Sequence, residues 1–206
     1  RIKLVTELAK ARDPVAVPVP VGWKVREGGR HSLYMLDEPT IGLHMADVEK
    51  LIRSVLEEET PPDGVWSSAR ICRELGRRLS RMDQGPGVLR SAYEHDVPVF
   101  IPAMTDSELG LDFATWAMSR ALAARPAPAG VRDPQEVFQA VPNFNPFVDL
   151  QQYARFAGTA ECLGIFTVGG GVPRNWAQQV APYYDVASYR LQIELPSPRF
   201  RYGVRI

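Results

Sequence analysis

The run Gly164-Ile165-Phe166-Thr167-Val168, followed by Gly169-Gly170-Gly171 and then Val172-Pro173, constrains the fold more than any other stretch of this chain. An apolar segment with β-branched residues feeds three glycines. Proline then stands where a helix can begin, since a first-turn N–H has no intrahelical partner to lose. The order predicts a strand, a tight loop and a helix start. Glycines in such a loop let backbone amides approach a ligand closely, and a helix start favours an anion. A plain tight turn is the alternative reading of the same residues.

Elsewhere the hydrophobic spacing alternates between two periods. Val48, Leu51, Ile52 and Val55 recur at helical spacing and predict a helix over about 45–57. Ile71, Leu75, Leu79 and Met82 make a second helical stripe, with Ser67 or Ser68 as its N-cap. Arg77, Arg78 and Arg81 beside it read as a solvated face. Further helices are expected over 2–12, 112–124 and 149–161, and from Pro173. Strands are expected over 32–36, 97–101 and 164–168, with a proline-rich loop at 125–147. At the end of the sequence Phe200, Tyr202, Val204 and Ile206 alternate with Arg201, Gly203 and Arg205, which predicts a strand with one buried face. Strands alternating with helices imply an α/β sandwich with a largely parallel sheet.

Bulk properties exclude several functions. The 24 basic and 24 acidic side chains cancel, so there is no electrostatic footprint for nucleic acid or an anionic membrane. No apolar run approaches the ~20 residues needed to cross a bilayer, and no signal peptide is expected at the start. Cys72 and Cys162 are far apart and in no metal spacing, so two buried, reduced thiols in a cytoplasmic protein are expected and no metal site.

Two segments carry a resemblance. One is Ala92-Tyr93-Glu94-His95-Asp96-Val97-Pro98-Val99-Phe100-Ile101-Pro102-Ala103-Met104-Thr105-Asp106-Ser107-Glu108-Leu109-Gly110. The other is Gly164 to Gln179, through Gly-Gly-Gly-Val-Pro-Arg-Asn-Trp-Ala-Gln-Gln. Both resemble the deoxyhypusine synthase family, most closely its bacterial deoxyhypusine-synthase-like branch. Shorter echoes at 67–82 and at Asn145-Pro146-Phe147 extend the likeness over about 60–206.

The resemblance implies a Rossmann-like three-layer sandwich that binds NAD, usually as a homotetramer. It implies dehydrogenation of spermidine or a related polyamine, with the aminobutyl group passing to an enzyme lysine and then to a lysine of a protein acceptor. Asp106 matches the family aspartate that contacts NAD, and a carboxylate at a strand end can accept bonds from ribose hydroxyls; a helix-capping or loop aspartate is the alternative. Gly169, Gly170 and Gly171 match the family's cofactor loop. Asp112 lies near the family's amine-binding aspartate, but the intervening segment is one residue longer, so Glu108 competes for that role. A carboxylate pair suits a polyamine cation. Asn175 stands where the eukaryotic enzymes have an active-site histidine. The Trp-Gly-Lys segment that carries the family's nucleophilic lysine is absent, so no catalytic residue is assigned and the domain reads as truncated.

A second signature occupies residues 1–53. Leu33-Tyr34-Met35-Leu36-Asp37-Glu38-Pro39-Thr40-Ile41-Gly42-Leu43-His44 resembles the Walker B region of ATP-binding-cassette ATPases, most of all UvrA of bacterial excision repair. There Asp37 would help hold Mg²⁺ and Glu38 would orient water. No Gly-x-x-x-x-Gly-Lys-Ser/Thr is present to hold phosphates, so an inert remnant whose Asp37 and Glu38 only cap a strand is the competing reading. The expected organisation is an ATPase-like segment at 1–53, a junction at 54–64 and an NAD-binding domain at 65–206. A non-catalytic subunit with the same fold, or a fragment of a repair ATPase, are the alternatives.

Overall fold

The computed structural model of the chain describes residues 34–35, 45–82, 87–124, 134–169 and 171–206. In order, these form β1 (Tyr34–Met35), α1 (Met45–Glu58), α2 (Ser68–Leu79), α3 (Val88–Glu94) and β2 (Val99–Phe100). A 3₁₀ turn (Met104–Asp106), α4 (Glu108–Ala123), α5 (Pro134–Val137) and α6 (Pro146–Thr159) follow. The chain closes with β3 (Leu163–Thr167), α7 (Val172–Gln178), α8 (Val180–Leu191) and β4 (Phe200–Arg205). The expected helix over 2–12 lies outside the described residues.

Pairing is parallel throughout the described strands. β1 pairs with β2, Tyr34 opposite Val99 and Met35 opposite Phe100. β3 pairs with β4 across the α7–α8 crossover, with an irregularity between Leu163 and Gly164. Crossover helices are what parallel neighbours require, so the α/β class follows from the connections themselves. β2 is buried on both faces. Val99 and Ile101 pack with Ile52, Ile71, Leu75 and Leu109. Phe100, between them, packs on the other side with Tyr153, Ala154 and Val180. Helices therefore cover both faces of β2, as expected of a strand in a layered parallel sheet.

α1 straddles the boundary expected at 53/54. Its Val48, Ile52, Val55 and Leu56 are buried in the same core as α2 and α4. Arg77 and Arg78 are not a solvated face. They reach from α2 to the end of α1, where Arg77 pairs with Glu59 and Glu74 and Arg78 with Glu58 and Glu59. Arg78 also donates to the Ser54 hydroxyl and carbonyl. The cause is α1 itself: it ends in a carboxylate cluster that the helical stripe of α2 brings alongside.

Other expectations shift. Met82 lies beyond α2 and is exposed. α4 begins at Glu108 rather than at Asp112, because Ser107 caps it by accepting a hydrogen bond from the Gly110 N–H. α3 and the length of α8 carry no strong apolar stripe and are additions. Cys72 is buried but Cys162 is exposed, since it stands in the turn before β3. The strand at 200–205 forms as expected, but Tyr202, Val204 and Ile206 remain exposed rather than buried. α7 and α8 cover one face of the β3–β4 pair, and no described residue covers the other.

Candidate functional site

Asp106 follows the C-terminal end of β2. Ile101 and Pro102 lead out of the strand into the 3₁₀ turn, which Asp106 closes by donating its backbone N–H to the Ala103 carbonyl at 2.9 Å. Ser107 then does two jobs. Its hydroxyl donates to the Met104 carbonyl at 2.8 Å and accepts from the Gly110 N–H at 3.1 Å. Gly110 is required for this turn to touch α4, because a Cβ there would lie 1.7 Å from the Met104 carbonyl oxygen. The Thr-Asp-Ser-Glu-Leu-Gly sequence is thus a cap and a close approach that leave the Asp106 carboxylate exposed.

Glu108 and Asp112 are one turn apart on α4 and so share a face. Glu108 is exposed, and its place in the first turn also suits the helix dipole. Asp112 is half-buried and lines a cleft of about 140 Å³ between α1 and α4, with Glu49, Arg53, Thr115 and Trp116. The Trp116 indole N–H is buried there without a hydrogen-bond partner. The structure thus sets Asp112 toward the α1–α4 cleft and Asp106 toward the exit of β2.

On the other side, β3 runs into the glycine loop. Gly169 takes φ +77°, the left-handed region that glycine enters at no steric cost. Its N–H donates to the Ile206 carbonyl at 3.3 Å, while the Ile206 N–H donates to Thr167 at 2.9 Å, so β4 holds the loop's entrance. A Cβ at Gly169 or Gly171 would meet no atom within 4 Å, so open space faces the loop. Gly171 caps α7 without a side-chain hydrogen bond, Pro173 is in its first turn, and Asn175 is exposed on it. Gly170, Asp37 and Glu38 lie outside the described residues.

Aromatic packing joins the two segments. Trp176 of α7 lies against Phe100 of β2, ring centroids 5.4 Å apart, and stacks on Tyr153 of α6 at 5.0 Å. The Tyr153 hydroxyl donates to the Ala177 carbonyl at 2.8 Å, and burial pushes its pKa up, so it stays a neutral donor. Beside them, Ser68, Ile101, Pro102, Asp149 and Trp176 line a crevice of about 10 Å³, room for one water.

Asp149 is the residue that sequence reasoning overlooked. It is 4% exposed, and its carboxylate accepts from the Ser68 N–H at 2.9 Å, the Ser68 hydroxyl at 2.8 Å and the Ala69 N–H at 3.0 Å. The N-terminus of α2 is therefore already filled by an internal anion and has none of these amides left for a phosphate. A Ser-Ser pair before one helix and an aspartate in the first turn of another were the available signals. Nothing local says that they meet.

Parallel strands joined through helices, with turns after the C-terminal ends of β2 and β3, define an α/β fold. Within that class the chain belongs to the deoxyhypusine synthase family, whose sequence profile matches residues 41–200. It is 33% identical over 145 residues to a probable deoxyhypusine synthase 2 of Archaeoglobus fulgidus, covering 66% of this chain and 41% of that protein. A probable deoxyhypusine synthase 2 of Methanosarcina acetivorans is 35% identical over 107 residues, 52% of this chain and 25% of that protein. A deoxyhypusine synthase-like protein of Caulobacter vibrioides is 28% identical over 143 residues, 65% and 35% of the two chains. The chain thus spans less than half the length of these relatives. The match begins at residue 41, within the segment assigned to the ATPase-like part, and that resemblance finds no support in these comparisons. Among the described residues no helix is long and apolar enough to cross a membrane, and no group of His, Cys, Asp and Glu could hold a metal ion.

Proposed function

We propose that this chain is an NAD-binding part of a deoxyhypusine-synthase-like aminobutyl transferase that acts on spermidine or a related polyamine. The observation that carries the reading is the pairing of two motifs on one aromatic contact. The turn bearing Asp106 and the helix after the glycine loop are joined through Phe100 and Trp176. Membership of the family supports it from a separate direction.

The residues present fit NAD. Gly169 and Gly171 leave open space that a Cβ would narrow, and Asp106 is exposed in the turn just past the strand exit. In this reading the glycine loop lies against the cofactor's phosphates and Asp106 accepts from its ribose hydroxyls. When bound, NAD supplies the hydride acceptor for oxidation of the amine. Glu108 and Asp112, one turn apart on α4, attract the polyamine cation, and Asn175, exposed on α7 behind the glycine loop, contributes to amine recognition. The chain has Lys3, Lys10, Lys24 and Lys50 and no lysine from Leu51 to Ile206. The matched residues beyond Lys50 therefore hold cofactor and amine but supply no primary amine as nucleophile. The acceptor is a protein lysine. The open face of the β3–β4 pair suits self-association into a homo-oligomer.

Titration of the full chain with NAD, followed by tryptophan fluorescence, tests the reading. Saturable quenching is expected, with NADH absorbance rising only when spermidine is added. An NAD titration that leaves Trp fluorescence and calorimetric heat unchanged at millimolar cofactor would rule the reading out.

A further inference from the structure

Asp149 does more than a helix cap requires. Ser67 already caps α2, its hydroxyl lying 3.5 Å from the Arg70 N–H. Neutral side chains perform that task at most helix starts. A carboxylate that is 4% exposed loses its hydration, and its burial is tolerated only when donors replace that water. Here Oδ2 takes both Ser68 groups and Oδ1 takes Ala69. Arg70, whose guanidinium is bound to Asp63, also feels its charge.

The Ser68 hydroxyl carries the connection further. While donating to Asp149, it accepts from the Ile101 N–H at 2.9 Å. Ser68 is 0% and Ile101 2% exposed, so neither bond is open to bulk water. Ile101 directly follows the last residue of β2, and Pro102 to Asp106 come next. One hydroxyl thus links α6, α2 and the exit of β2. The same crevice is closed by Trp176 from the helix behind the glycine loop.

We propose that Asp149 is a positioning residue: through the Ser68 hydroxyl it holds the exit of β2, and with it the turn that carries Asp106, in place relative to α7. This rests on the reading of Asp106 as an NAD contact. Asp149 orients the Ser68 hydrogen toward itself, which leaves the hydroxyl lone pair for Ile101. Without the carboxylate the hydroxyl loses its fixed orientation, and the Ile101 N–H loses its acceptor for part of the time. A strand end with a lost amide bond opens locally before the core does.

Two variants of the full chain test this, Ser68→Ala and Asp149→Asn, each read by amide hydrogen exchange and by NAD affinity. Ser68→Ala keeps both backbone amides on the carboxylate and removes the hydroxyl that bonds Asp149 and Ile101, so it tests the hydroxyl link even if Asp149→Asn fails to fold. The expected result is exchange about tenfold faster in peptides covering 99–107, unchanged exchange in peptides of α3 and of the last turns of α2, and NAD affinity lowered roughly five- to tenfold. If exchange in 99–107 does not change, or accelerates evenly across the molecule, the positioning role is overturned. If 99–107 loosens while NAD affinity holds, the link to the cofactor is overturned. If the parent chain binds no NAD but 99–107 still loosens selectively, the mechanical link stands and the cofactor reading is what fails.

Discussion

Trp176 and Phe100 meet with ring centroids 5.4 Å apart and an interplanar angle of 39°. This contact makes one unit of two segments that are distant in the chain. Removing the indole in Trp176→Ala also strips the stack on Tyr153. The expected loss is about 3 kcal/mol of unfolding free energy, at the low end for large aromatic truncations because Trp176 is only half-buried. Urea unfolding followed by far-UV circular dichroism checks it; a loss within experimental error of zero would mean that the two segments are not coupled.

Gly110→Ala is expected to be among the most disruptive single-methyl additions. The new Cβ would sit 1.7 Å from a backbone oxygen, that of Met104, which cannot rotate away. The 3₁₀ turn and α4 must separate, costing on the order of 3 kcal/mol. Thermal melting should fall by several degrees. An unchanged melting temperature would show that the approach of α4 to the turn is not required.

Asp106→Asn separates binding from stability. The side chain is exposed, so surface substitution should move the melting temperature little. NAD affinity should drop about tenfold, as expected for loss of a charge-assisted acceptor. Equal affinities of the parent and the variant in calorimetric titration would remove Asp106 from the site.

The Arg70 guanidinium donates to both oxygens of Asp63, at 2.5 and 3.0 Å, and holds that carboxyl at about 2, below its ordinary 3.8. A lowered folded-state pKa stabilises the ionised form, so the contribution is complete above about 4 and fades as pH falls toward about 2. Asp63→Asn should therefore melt slightly below the parent at pH 6, with the gap closing on acidification through that window. A gap that widens on acidification would reverse the assignment.

Phe166, Tyr202, Val204 and Ile206 lie 57%, 49%, 57% and 74% exposed on one side of the β3–β4 pair. In the parallel register Phe166 stands opposite Val204 and Gly164 opposite Tyr202, so these side chains form one patch. The double variant Phe166→Glu, Val204→Glu should shift light scattering from an oligomer to a monomer without altering the fold seen by circular dichroism. Identical masses for parent and variant would place the association elsewhere.

Much of the fold was legible because its signals are local. The spacing of Val48, Ile52 and Val55 and that of Ile71, Leu75 and Leu79 predict α1 and α2, and both stripes are buried. The glycine loop between an apolar strand and a proline-led helix is likewise written in consecutive residues, and Gly169 adopts the left-handed angle that such a turn demands. The acidic turn was also visible, although its reason for ending in glycine was not.

Sequence alone determined the alternation of strands and helices, though not α3 or α5, together with the two motifs and the family they resemble. Tertiary structure decided which groups meet. Asp149 finds Ser68 far along the chain, Arg77 and Arg78 turn from an apparent surface stripe into clamps on α1, and the last strand exposes the face that alternation would bury. The physical reason is that periodicity records how each element distributes its own side chains, whereas partner choice depends on distances set by every other element at once. A buried carboxylate is stable only where three donors converge, and convergence is a property of the assembled molecule.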